Sequence, residues 1–178
     1  MKKLQIGIIG SMADVELSNA NKNIAQSLGE EIAKSGAVLL FGYEGDYSSL
    51  SYIAAQSAQI NGGESIAFIW GEKKQNIQNL DSVQIVTGQM RGGGREYSFI
   101  LSCDAIIAIG GGSGTLMEIS MAYQNNIPII TVKGTGGWSE KLANQYIDER
   151  KRIRVVEAGN AIEAVKIAIE TSSNTESS

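Results

Sequence analysis

The stretch Asp104-Ala105-Ile106-Ile107-Ala108-Ile109-Gly110-Gly111-Gly112-Ser113-Gly114-Thr115-Leu116-Met117-Glu118 decides the fold. Its first half is apolar, β-branched and almost uninterrupted, the pattern of a parallel strand buried on both faces. Its second half is a glycine turn that opens a helix. A strand, a Gly-rich loop and a helix N-terminus in that order build an anion site from backbone N–H groups and the positive end of the helix dipole. Glycines serve such a site because an anion meets the backbone without a Cβ in the way. The run therefore points to a phosphorylated ligand.

On both sides of this run, strand-like and helix-length segments alternate along the whole chain. Strands are predicted at Leu4–Ile9, Val38–Phe41, Ser65–Trp70, Val83–Val86, Ala105–Ile109, Ile129–Val132 and Arg154–Val156. Helices are predicted at Asn19–Lys34, Ser48–Ile60, Arg95–Ser102, Thr115–Asn125, Ser139–Ile147 and Ala161–Glu170. Such alternation specifies an α/β fold: a single doubly wound parallel sheet flanked by helices, with right-handed crossovers. Neither an internal repeat nor a linker interrupts it, so 1–171 reads as one domain and 172–178 as a small, polar, disordered tail.

The 178 residues suffice for one sizeable core, and 43% hydrophobic content is ordinary for a globular chain. A net charge of -4 argues against a broad nucleic-acid footprint, which needs clustered cations. The densest basic group, Arg150, Lys151, Arg152 and Arg154, lies among Asp148, Glu149 and Glu157 and reads as a solvated helix end. The single cysteine, Cys103, rules out an intrachain disulfide and reads as a buried, inert thiol. Histidine is absent, which excludes His-dependent triads, His metal sites and imidazole acid–base chemistry. No metal or resident cofactor is expected. The N-terminal apolar run Leu4–Ile9 is too short for a signal-peptide core or a membrane span, so a cytoplasmic location with no membrane partner is the expectation.

Parallel sheets bind ligands at the carboxyl ends of their strands, and four loops fall there. They contain Gly10-Ser11, Gly42-Tyr43-Glu44, Gly110–Thr115 and Gly134-Thr135-Gly136-Gly137-Trp138. Within the third, Gly111 and Gly112 free the backbone, and the amides of Ser113, Gly114 and Thr115 are the best phosphate donors, helped by two hydroxyls. Glu118 admits two readings. Thr115-x-x-Glu118 has the spacing of a capping box, and a carboxylate beside a phosphate loop can also activate water or stabilise an oxocarbenium-like centre. Arg95 follows Arg91-Gly92-Gly93-Gly94 and begins a helix, where a cation faces the wrong end of the dipole. Either a bound anion or the adjacent Glu96 can offset that cost. Trp138 either covers an aromatic base or packs on the sheet edge.

At these residues the chain resembles the LONELY GUY (LOG)-like superfamily of Rossmann-type nucleotide-binding proteins. Its signature, Pro-Gly-Gly-x-Gly-Thr-x-x-Glu, is matched by Gly110–Glu118 except that Gly110 replaces Pro, and Arg95 stands upstream of the strand as the family Arg does. Gly134–Trp138 makes it similar to the branch related to molybdenum cofactor carrier proteins. The resemblance implies a Rossmann-like homodimer that binds a nucleotide or nucleotide-like phosphate. In the LOG enzymes it implies hydrolysis of the N-glycosidic bond of a nucleoside 5′-monophosphate, with Arg95 and Glu118 catalytic. In the carrier branch it implies binding of a molybdopterin-type ligand without turnover. The chain departs from the phosphoribohydrolases where Glu96 replaces a Lys after Arg95. It departs again at Gly42–Leu50, where they carry Gly-Gly-x-x-x-Gly-x-Met.

Overall fold

The computed structural model describes residues 3–11, 16–45 and 48–175. Strands β1 (Gln5–Gly10), β2 (Val38–Tyr43), β3 (Glu64–Ile69), β4 (Val83–Val86), β5 (Ala105–Ile109), β6 (Ile129–Val132) and β7 (Val156–Ala158) form one sheet. Every pairing is parallel, in the order β4-β3-β2-β1-β5-β6-β7. The chain steps outward from β1 through β4, then returns to β5 on the other side of β1 and steps outward again. Strand order reverses between β1 and β5, which opens a crevice at their carboxyl ends, beside Gly10 and Ile109. This is the expected doubly wound, Rossmann-like sheet.

Period-two alternation explains why β5 has no polar residue. Ala105, Ile107 and Ile109 enter the core beneath α1 (Asn19–Ser35), α2 (Leu50–Ile60) and α6 (Ala161–Thr175). Ile106 and Ala108 enter the opposite core with α3 (Gly94–Leu101) and α4 (Ser113–Gln124). Cys103 is buried in that second core, and burial pushes its thiol well above the usual range, so it is inert as expected. Among the described residues, no helix is long and apolar enough to cross a membrane.

Several boundaries differ from the sequence reading, each for a local reason. α4 begins at Ser113 with Gly112 as its N-cap, not at Thr115. α5 spans only Gly137–Leu142, because Asn144 adopts φ 59° and Tyr146 turns to bridge Arg154 in an antiparallel pair. That bridge displaces β7 to Val156–Ala158. α6 runs through Thr175, beyond the expected end of the domain at 171. Ser172 is buried there and donates to the carbonyls of Asp104 and Ala168. Residues 176–178 of the expected tail lie outside the described residues. The basic group at 150–154 lies in a loop instead of at a helix end. There Arg150 pairs with Asp148, while Arg152 and Arg154 donate to the carbonyls of Gln124 and Asn144.

Candidate functional site

A cleft of about 480 Å³ opens at the β1/β5 reversal. Helices α2, α3 and α4 all aim their N-termini toward it, and the cleft has two chemically opposite walls.

The first wall is the start of α4. Its N-cap, Gly112, has no side chain to satisfy the first amides, and among the described residues no protein acceptor takes the N–H groups of Ser113, Gly114 or Thr115. Space above Gly112 and Gly114 is open to 4 Å around a would-be Cβ. The result is a patch of aligned donors carrying the positive end of a twelve-residue helix dipole.

The preceding glycines hold this patch in place. Gly111 sits at φ 94°, and a Cβ there would come within 2.3 Å of the Thr115 side chain. Its N–H donates to Ser11 Oγ at 2.9 Å. Behind it, the Gly110 N–H donates to Thr135 Oγ1 at 3.1 Å, and Trp138 and Ser139 donate their amides to the Gly111 and Gly110 carbonyls. Gly137 packs so closely on this turn that a Cβ would lie 2.5 Å from the Gly111 oxygen.

The second wall is charged. Arg95 is only 2% exposed; its Nη2 donates to Glu44 Oε1 and forms an ion pair with Glu96 Oε1 at 2.9 Å. Gly42 makes room for it, since a Cβ on Gly42 would lie 1.4 Å from Arg95 Nη1. Glu44 Oε2 takes a second guanidinium, Arg91 Nη1, at 3.2 Å, and Arg91 also lies over the Trp70 ring. Glu96 caps α3 by accepting the Gly93 N–H at 2.8 Å. Burial would raise the Glu96 carboxyl. Arg95, with the amides of Gly93, Glu96 and Gly92, outweighs burial and holds its pKa below the usual carboxylate value.

Glu118 stands where the walls meet. With α4 starting at Ser113, Thr115 is the third helical residue instead of the N-cap, so the capping box does not form and Glu118 faces the cleft. Loss of hydration pushes its pKa up to about 8. Arg95 pulls it down, while Glu96 and Glu44 add to the rise.

The cleft brings together Gly10, Ser11, Gly42, Arg95, Gly112, Ser113, Gly114, Thr115 and Glu118 of the residues singled out from sequence. Gly111, Gly136 and Trp138 do not line it. Trp138 is half-buried with Lys141 Nζ 4.7 Å from its ring centre, and its loop buttresses the glycine turn from behind. Of the two readings of Arg95, the structure favours internal pairing, with the guanidinium buried and not exposed. Sequence reasoning placed Glu44 in a loop at a strand carboxyl end and did not find it as the counterion of Arg95. The available signal was its place at the carboxyl end of β2, the same sheet edge as the other site loops.

A parallel α/β sheet with an open helix N-terminus at its strand-order reversal defines a Rossmann-like protein. The chain belongs to the SLOG cluster4 family, whose model matches residues 3–165. An uncharacterized protein of Archaeoglobus fulgidus is 33% identical over 133 residues, which is 75% of this chain and 82% of that one. Among solved structures, the chain is similar to the molybdenum cofactor carrier protein of Chlamydomonas reinhardtii. That match has 25% identity and a TM-score of 0.78, covering 96% of this chain and 98% of the other. It is also similar to the molybdenum cofactor binding protein of the phototrophic bacterium Rippkaea orientalis, with 26% identity, a TM-score of 0.77 and the same coverage.

Proposed function

We propose that this chain is a cytoplasmic, homodimeric binding protein for a phosphorylated, nucleotide-like small molecule of the molybdopterin type, which it carries without chemical change. The open amides of Ser113, Gly114 and Thr115 at the head of the cleft are the observation that carries this reading. A phosphate seated there accepts three N–H bonds and meets the helix dipole, with Ser11 Oγ in reach as a further partner. The names borne by the two similar solved proteins point to the same ligand class.

N-glycosidic hydrolysis of a nucleoside 5′-monophosphate is the second reading, favoured by Glu118 in the cleft wall. Two features weigh against it. Arg95 already has Glu44 and Glu96 as counterions and offers little free charge to a substrate. With a pKa of about 8, Glu118 is mostly neutral at pH 7 and poorly suited to stabilise a ribosyl cation.

Incubation with AMP and GMP, followed by chromatography for free base, separates the two. Carriage predicts binding by calorimetry with no base released; release that disappears in Glu118→Gln would instead establish the hydrolase. Mass spectrometry of whatever copurifies with the protein identifies the natural ligand directly.

The homodimer has a candidate face. Ile85 pairs with Phe68 in the sheet, and the Phe68 ring packs on Phe99 of α3, so Val83 and Ile85 lie on the side of the sheet that α3 covers. Both are exposed, as are Tyr97 and Leu101 on α3. This apolar strip is the surface proposed for the second copy. On α4, Ile119, Ala122 and Tyr123 are buried in the chain's own core, and Met121 packs against it.

A further inference from the structure

We infer that Glu44 is the specificity residue of the cleft, and that it selects ligands whose ring presents a 2-amino-4-oxopyrimidine edge, as guanine and pterins do. This rests on the reading that a phosphate sits at the start of α4.

The charged wall is a receptor of defined pattern. Among the described residues, each Glu44 carboxylate oxygen takes a single guanidinium N–H, Oε1 from Arg95 and Oε2 from Arg91, which leaves a second lone pair on each oxygen. The two arginines fix the carboxylate in the cleft wall, so it accepts without reorganising. An adjacent ring N–H and amino group match two carboxylate oxygens as a fork, the arrangement that makes charge-assisted pairs both strong and selective. Independently, Arg95 is 2% exposed, lines the cleft, and its Nε–H has no acceptor among the described residues. A buried unpaired donor is costly, and the ring carbonyl next to the amino edge is an acceptor of the kind it lacks. An adenine edge offers neither the paired donors nor the carbonyl. The acids Glu44 and Glu96, which a second phosphate would avoid, are therefore suited to the opposite end of the same ligand.

The test is calorimetric titration of the full chain with inorganic phosphate, GMP, IMP, AMP and pterin-6-ylmethyl phosphate. IMP differs from GMP only by the missing amino group. GMP or the pterin phosphate is expected to bind about 10- to 100-fold more tightly than IMP and AMP. Whichever of the two is tighter names the source of the edge. Glu44→Gln is expected to reduce GMP to the IMP level. IMP or AMP binding as tightly as GMP and the pterin phosphate in the wild type would overturn the inference while leaving the phosphate reading intact. Failure of every monophosphate and of inorganic phosphate to bind would overturn both. The wild-type comparison stands whether or not the variant folds.

Discussion

Glu118 has a free-energy consequence that pH exposes. Its pKa rises from 4.5 to about 8, so the folded chain keeps a proton that the unfolded chain has released across that window. Stability from this residue is thus full below pH 4.5 and lost progressively as pH rises toward 8. Glu118→Gln, which stays neutral, should be more stable than wild type by ~1–3 kcal/mol above pH 8 and no more stable at pH 4.5. Denaturant titrations at the two pH values check this, and a pH-independent difference would contradict it. Gly42→Ala forces a Cβ into the Arg95 guanidinium and should cost about 1–3 kcal/mol, read as a lowered Tm. An unchanged Tm would mean Arg95 has another place to go. The oddity of Arg95 was legible in sequence as a cation opening a helix after three glycines. Its partner was not, because Glu44 lies 51 residues away and only the sheet order brings the two loops together.

At the scale of elements, the start of α4 separates stability from binding. Gly114 lies in the first turn of the helix with open space where a Cβ would project. Gly114→Ala should leave stability unchanged or raise it by up to about 1 kcal/mol, yet weaken inorganic phosphate binding at least severalfold by crowding the amides. Thermal melts paired with phosphate titrations read both, and unaltered phosphate affinity would place the anion elsewhere. Elements with strong patterns were legible: β4, β5 and β6 have their predicted limits, since short runs rich in Val and Ile, bounded by polar, proline or glycine residues, leave little choice. The α5 to β7 segment was not. Its apolar spacing suits a longer helix, but the left-handed Asn144 and the Tyr146–Arg154 bridge override local preference. The Thr115-x-x-Glu118 spacing left two readings open, and the capping box is the one that fails, because Gly112 takes the N-cap position without a capping side chain.

For the whole molecule, the sequence announced a parallel sheet and a ligand edge, while the order of strands, and with it the cleft at β1/β5, came only from the fold. That order also leaves β4 as an edge strand whose Val83 and Ile85 share a side with α3. Leu101→Glu, at a half-exposed position, should shift the chain from dimer to monomer in light scattering without changing its Tm. A dimer that survives this change would move the interface to another face. The ligand's anionic group is proposed to rest on the open amides at the start of α4. A crystal structure of the chain with GMP tests it most directly. The phosphate is predicted within hydrogen-bond distance of the Ser113, Gly114 and Thr115 amides, with Arg95 still paired to Glu44. A phosphate held instead by Arg95 after it has left Glu44, or seated outside the β1/β5 cleft, would contradict it.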